Sequence, residues 1–304
     1  MKSQPLVAVV TLNWNGSSFL QECVDSILLS NYENFRVIVV DNGSTDNSLH
    51  LLETHYRANS QVIVLRKTKN LGYSLGMNVG LQHGFNVLNA EYCLLMNNDT
   101  RLDAQAISAL VDVAQTTNDI AFVTGKVFYY DNPDTFQTVG KKSHHVFVNG
   151  GHIGRGEIDK GQYDQDAEIA FCDDIFWLVS RHVFTTTGGY DPEFFLQAED
   201  FDWQLRAKNA GFKIMFAYKA MLWHKESMTI GKTSPLKAYY DARNPIIAVI
   251  KNCEAPVVKN YMRVKTLNVL IPAIIKNALK GRIKISFSML RGLVSAWIWK
   301  MKHA

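Results

Sequence analysis

The chain is poor in several things that would each define a class. Only four cysteines (Cys23, Cys93, Cys172, Cys253) occur in 304 residues, and no two form a CxxC pair. That scatter argues against disulfides, and buried free thiols in a reducing compartment are expected. Prolines number 7, and no repeat or low-complexity tract breaks the chain. The N-terminal MKSQPLVAVV lacks the longer apolar segment and small-residue cleavage site of a secretory signal, so a cytoplasmic location is expected. No GxGxxG follows the first apolar run, which argues against a dinucleotide oxidoreductase. The segment found there, TLNWNGSSF, has one glycine and no cation, unlike the phosphate loop of a nucleotidyltransferase.

Acidic residues are absent beyond Glu254. Ten lysines and arginines lie in that tail, leaving 22 basic against 28 acidic residues, so the body is near −6 and the tail +10. Such a split suits a polyanionic surface as partner. The longest uncharged apolar stretch of the tail, 266–275, is too short to span a bilayer. Amphipathic helices lying on anionic lipid explain both the charge and the Trp297/Trp299 pair. A helical dimerisation element is the alternative. Nucleic acid is not expected, because the tail is rich in aliphatics and the body is acidic.

What is present is an ordinary globular composition, 47% hydrophobic and 20% charged. Strand and helix signals alternate through the first half, the pattern of a mostly parallel sheet flanked by helices. Strands are expected at 6–12, 35–40, 61–65 and 92–96. Helices are expected at 17–30, where Phe19, Leu20, Cys23, Val24, Ile27 and Leu28 share a stripe, and at 73–89. The Gly-rich, polar stretch 140–170 reads as an excursion over the sheet, a candidate lid. A helix should begin near Glu199 and close at Gly211.

Three strand ends turn abruptly polar: Thr11 to Asn15, Asp41 to Ser44, and Asn97-Asn98-Asp99. Ligands of open α/β sheets gather beyond such ends, although caps and Asx turns use the same residues. Asp99 is a hard-cation candidate with Asn97 as a weaker neighbour, and His224 can add an imidazole; this donor set suits Mn²⁺ or Mg²⁺. A histidine among aromatics is also commonly structural. Glu199 and Asp200 at a helix start are favoured by the helix dipole alone, which also keeps a carboxylate ionised, as a general base requires.

In this order, VVTLNWNG, VIVVDNGSTDNS, NLGYSLGMNVG, LLMNNDT, GGYDPEFFLQAEDFDWQLR and WHKES resemble the family 2 glycosyltransferases. GRGEIDKGQYD and YYDARN extend the likeness to the bacterial rhamnosyltransferase-like branch, and together the segments cover residues 6–250. The resemblance implies a GT-A domain over 1–252, with a nucleotide-binding half to about residue 100 and an acceptor-binding half after it, followed by the basic helical tail 253–304. It implies Asp41 on a pyrimidine base, with Thr11, Asn13, Asn15 and Asn98 near the nucleotide. Asn70, Gly72, Gly76 and Asn78 would lie along the ribose and sugar. Asp99, Asn97 and His224 would hold the divalent cation, Asp200 would be the base, and Glu199 would orient an acceptor hydroxyl. Asp202 is expected to be structural, and Arg243 either meets the diphosphate or braces the domain.

The implied reaction is inverting transfer of a sugar to a glycan acceptor, a lipid-linked one at the inner face of the cell membrane, in cell-surface polysaccharide or O-antigen synthesis. dTDP-rhamnose is the favoured donor, and a UDP-hexose is the alternative. A catalytically inactive sugar-nucleotide-binding scaffold is the non-enzyme reading. The chain departs from the pattern at 171–177, where Asp174 and Trp177 become candidates for sugar contact, at Ser180-Arg181, and at Gln197, where an aromatic residue is common.

Overall fold

The computed structural model describes residues 4–225 and 234–303. Strands buried on both faces read as unbroken apolar runs, and four of them build the first half: β1 (Val7–Asn13), β2 (Phe35–Asp41), β3 (Val62–Arg66) and β4 (Tyr92–Asn97). They pair in parallel in the order β3-β2-β1-β4. Helices α1 (Leu20–Leu28), α2 (Ser48–Tyr56) and α3 (Tyr73–Gln82) make the crossovers, and α3 continues through a π-helical turn at His83–Val87. Alternation along β1 sends Val7 and Val9 into one layer with Leu20 and Ile27. Ala8 and Val10 go into the other, with Met77 and Leu81.

The second half adds β5 (Thr100–Leu102), α4 (Ala106–Ala114), β6 (Ile120–Tyr129), β7 (Phe136–Thr138), β8 (Lys141–His144), β9 (Val148–His152), β10 (Ala167–Ile169), β11 (Phe176–Ser180), α5 (Arg181–Thr187), α6 (Glu199–Asn209) and β12 (Lys213–His224). In the ten-stranded sheet β11 inserts antiparallel between β4 and β6, β12 runs parallel to β6, and six strands share one direction. The excursion expected over 140–170 forms the β8–β9 hairpin and an arm, which Lys126 ties down through Asp159 at 2.8 Å and Asp164 at 2.6 Å. Cys23, Cys93 and Cys172 are buried in the core.

The extension comprises α7 (Pro235–Asn252), α8 (Ala255–Val264), a π-helical turn at Lys265–Leu270, α9 (Ile271–Leu279) and α10 (Ile283–His303). It shares a core with the body, where Phe201, Leu205, Ile246, Tyr261 and Leu293 meet. At Gly292, α10 approaches α7 so closely that a Cβ would stand 2.3 Å from the Tyr239 carbonyl oxygen. The outer side is apolar: Ile271, Ile275, Leu279, Ile283, Phe287, Leu290 and Val294 are exposed at helical spacing. Among the described residues no helix is long and apolar enough to cross a membrane.

Candidate active site

Parallel register sets Asn13 beside Asp41 and Leu12 beside Asn97, so the polar ends expected at three strands lie side by side. A chain of amides joins them. Asn98 Nδ2 donates to Asn13 Oδ1 at 2.8 Å, and Asn13 Nδ2 donates to Asp41 Oδ1 at 3.2 Å and Ser44 Oγ at 3.1 Å. Asn15, in the left-handed region at φ 53°, accepts from the Thr45 backbone N–H at 2.8 Å. Asn70 Oδ1 accepts from the Gly72 N–H at 2.8 Å and from Asn42 Nδ2 at 3.1 Å. Gly72 has φ 84°, and a Cβ there would meet the Phe195 ring at 2.5 Å, so glycine is required both by the turn and by close approach.

The three residues after β4 diverge. Asn97 Oδ1 accepts from the Tyr73 hydroxyl at 3.4 Å, Asn98 turns to Asn13, and Asp99 faces His224, with Nε2 and Oδ1 3.2 Å apart. Both members of that pair are buried. His224 Nδ1 lies 2.9 Å from Gln137 Oε1, an acceptor, so Nδ1 carries a proton and Nε2 is the atom presented to Asp99. One imidazole nitrogen and one carboxylate fit a Mn²⁺-type cation, with the remaining positions left to oxygens of a ligand. Among the described residues no three His, Cys, Asp or Glu side chains cluster to hold a metal by themselves. Lys225 secures the end of β12 by its 2.5 Å contact with Glu22, which also accepts from the Tyr130 hydroxyl at 2.6 Å. Glu226 and Ser227 of the WHKES segment lie outside the described residues.

Across Tyr73 from Asn97 lie four carboxyl groups in unlike states, Glu199 buried and Asp173, Asp174 and Asp200 half-buried. Burial alone would raise Asp173, but Lys141 and His152, the latter at 3.2 Å, hold it at about 2. Asp174 goes the other way: burial and the charges of Asp200 and Asp173 push it to about 8. Burial, then Asp174 and Asp200, raise Glu199 well above the carboxylate range. Its Oε2 is buried without a hydrogen-bond partner. Asp200 is raised by burial and by Asp173, with Lys141 opposing. Lys141 thus favours the ionised form at Asp200, while protons are held at Asp174 and Glu199.

The backbone before α6 is strained to place them. Gln197 and Ala198 are both left-handed, at φ 70° and 67°. Asn244 Nδ2 holds this turn by donating to the carbonyls of Leu196 at 2.7 Å and Gln197 at 3.0 Å. Asp200 borders a cavity of about 520 Å³ that runs to Tyr261 and Lys265.

Several expected ligand contacts are instead structural. Thr11 is fully buried two residues below Asn13, beside Cys23, because the strand carries it beneath α1. Asn78 spends both amide groups on the Tyr190 backbone, at 2.6 and 2.9 Å. Trp177 has no open face for a sugar: alternation on β11 sends it into the layer where Phe122 stacks at 4.2 Å and Trp203 packs edge-on at 5.9 Å. Arg243 braces, bonding Glu193, Asn244 Oδ1 at 2.7 Å and Ser295 at 3.3 Å. Asn97 is turned toward Tyr73, apart from the Asp99–His224 pair. Asp202 holds Arg206 and Asn252, each at 2.8 Å, a structural role as expected. Lys141, Asp173, Tyr73 and Gln137 belong to the site but carry no local sequence signal, since each acts on a residue distant in the chain.

The strand order, the polar crevice and the appended helices define a GT-A-like α/β architecture. Residues 7–188, more than half of the chain, match Glycosyl transferase family 2, and the chain belongs to that family. It is similar to glycosyltransferase GlyG of Streptococcus pneumoniae, at 31% identity over 129 residues, 42% of this chain and 41% of that protein. The poly(ribitol-phosphate) beta-glucosyltransferase of Bacillus spizizenii is 22% identical over 81% of this chain and 37% of its own length. The chain therefore spans less than half of these curated relatives. In fold it is similar to Staphylococcus aureus TarS 1-349 in complex with UDP-GlcNAc (TM-score 0.63, 15% identity, 94% of this chain and 79% of that one). The mannosyltransferase PcManGT of Pyrobaculum calidifontis, solved with GDP-Man and Mn²⁺, has TM-score 0.59 and 12% identity over 97% of this chain and 88% of its own.

Proposed function

We propose that this chain transfers a sugar, with inversion, from a nucleoside-diphosphate donor to a hydroxyl of a cell-surface glycan acceptor. The observation that carries the reading is Tyr73, whose hydroxyl touches Asn97 at the strand ends and Asp174 in the carboxyl cluster, so donor and base regions adjoin. The donor side is Asn13, Asn15, Asp41, Asn70, Gly72 and Asn98; the acceptor side is Asp174, Glu199 and Asp200. dTDP-rhamnose is the first donor to try, on the likeness of GRGEIDKGQYD and YYDARN. A UDP-hexose is the second reading, favoured by the neighbour captured with UDP-GlcNAc.

Asp200 takes the acceptor hydroxyl proton as the new C–O bond forms and the anomeric C–O bond to the diphosphate breaks, its electron pair leaving with the phosphate. Protonated Asp174 and Glu199 can donate to sugar hydroxyls without adding charge beside the base. Asp99 and His224 would hold a divalent cation, which when bound neutralises charge on the departing diphosphate. The division 1–252 and 253–304 is proposed as catalytic domain and membrane-surface element. The exposed aliphatic stripe of α9 and α10 with its flanking lysines suits the anionic inner face of the cell membrane, and this supports a lipid-linked acceptor.

The test is release of nucleoside diphosphate from dTDP-rhamnose and UDP-hexoses by Asp200→Asn. Turnover should fall about 100-fold or more with donor affinity retained. Equal turnover would remove Asp200 from the chemistry.

A further inference from the structure

The cavity beside Asp200 is lined on one side by the β8–β9 hairpin and on the other by the extension, through Tyr261, Lys265 and Val269. Of its two lysines, only one has an ion-pair partner among the described residues. Lys141 is engaged by Asp173. Lys265 lies in the π-helical turn, partly buried, with no hydrogen bond or ion pair among the described residues. Burial holds its ammonium below the usual range, and Asp241 offsets this only from a distance. An amine left so in a cavity wall is stabilised by an arriving anion.

Two further groups in the facing wall, on the β8–β9 hairpin, await a polar ligand. His144 Nδ1 accepts from the Val146 and Phe147 N–H groups, both at 3.0 Å, which leaves its ring proton on Nε2 as a donor. Asn149 Oδ1 is buried without a partner, and Asn149 lines the cavity. Beyond Lys265 the same helical run exposes Leu267 and Ile271, so the neighbouring surface is apolar. A ligand matching all of this is anionic near Lys265, hydroxylated toward Asp200 and greasy at its outer end.

We propose that the cavity receives a phosphate-bearing acceptor, its phosphate or diphosphate held by Lys265 and His144 so that the terminal sugar hydroxyl reaches Asp200. This rests on the transferase reading above. It names the acceptor class: a glycan carried on a lipid diphosphate, or one carried on a soluble phosphate.

The test is calorimetric titration of the full chain, in EDTA, with farnesyl diphosphate, farnesol and inorganic pyrophosphate. Farnesyl diphosphate should bind. Lys265→Met should weaken it about tenfold or more, and Lys265→Arg should restore most of the affinity. Lys276→Met, on the outer helix, should leave it unchanged. Farnesol should bind at least about tenfold more weakly than the diphosphate. Pyrophosphate binding with the same Lys265 dependence supports the phosphate site and assigns its ligand to a soluble source as well. Equal farnesyl diphosphate binding by wild type and Lys265→Met, or none by wild type, overturns the inference. UDP titrated with Mn²⁺ on the same sample separates the two claims: bound UDP with no bound farnesyl diphosphate defeats only the acceptor inference.

Discussion

Replacing Asp174 with asparagine should stabilise the protein at alkaline pH and flatten its pH dependence. Burial and the charges of Asp200 and Asp173 raise Asp174 from 3.8 to about 8 in the folded state. Because the folded value is the higher one, the folded state binds more protons in the interval, and stability falls as pH rises. The contribution is complete below about pH 4 and lost by about pH 8. One such group costs about 1.4 kcal/mol for each pH unit, so on the order of 5 kcal/mol across the window as an upper bound. In a chain of this size 1 kcal/mol moves Tm by about 2 °C, so Asp174 should lower the wild-type Tm by up to about 3 °C per pH unit between about pH 5 and 7, and by less near pH 8. Asp174→Asn removes that charge and eases Glu199 and Asp200 beside it. In thermal unfolding without donor or metal, its slope should be at most about half that of wild type, with a Tm several degrees higher at about pH 8. An unchanged slope, or a wild-type Tm that climbs over this range, would refute the cluster's electrostatics.

Asn244→Ala strips the left-handed Gln197–Ala198 turn of two hydrogen bonds, one buried and one partly buried. It should cost about 2–3 kcal/mol in urea unfolding and lower turnover more than donor affinity. Gly292→Ala forces a Cβ against the Tyr239 carbonyl. It should lower Tm and release α10 to proteolysis while leaving the sheet's unfolding transition in place. Sedimentation with anionic vesicles should fall when Ile275 and Phe287 are both changed to Glu, with little effect on Tm, because both are exposed. Retained sedimentation would place the membrane contact elsewhere.

The strand–helix alternation was legible because buried parallel strands are apolar on both faces: β1, β2, β3 and β4 fall within one residue of the expected bounds. Asp200 at the start of α6 and the Asp99–His224 pairing were legible from residue type and position along the chain. The opposite states of Asp173 and Asp174 were not: Asp173 depends on Lys141, which arrives from the β8–β9 hairpin, and Asp174 on burial beside Asp200 of α6. Nor was the antiparallel insertion of β11. A short run such as FWLVS does not state its direction, and only the sheet decides that Trp177 faces inward. Asn78 and Arg243 look like ligand-binding residues in sequence because the groups that bind sugars are those that brace loops. The fold assigns both to bracing.

The central claim is a nucleotide-sugar site completed by a cation at Asp99 and His224. The most direct measurement is calorimetric titration with dTDP-rhamnose, UDP-glucose, UDP-galactose and UDP-N-acetylglucosamine, with and without Mn²⁺, on wild type and Asp99→Ala. The account predicts Mn²⁺-dependent binding of one donor that is lost in Asp99→Ala. Donor binding that is indifferent to Mn²⁺ and to Asp99, or absent for every donor, would contradict it.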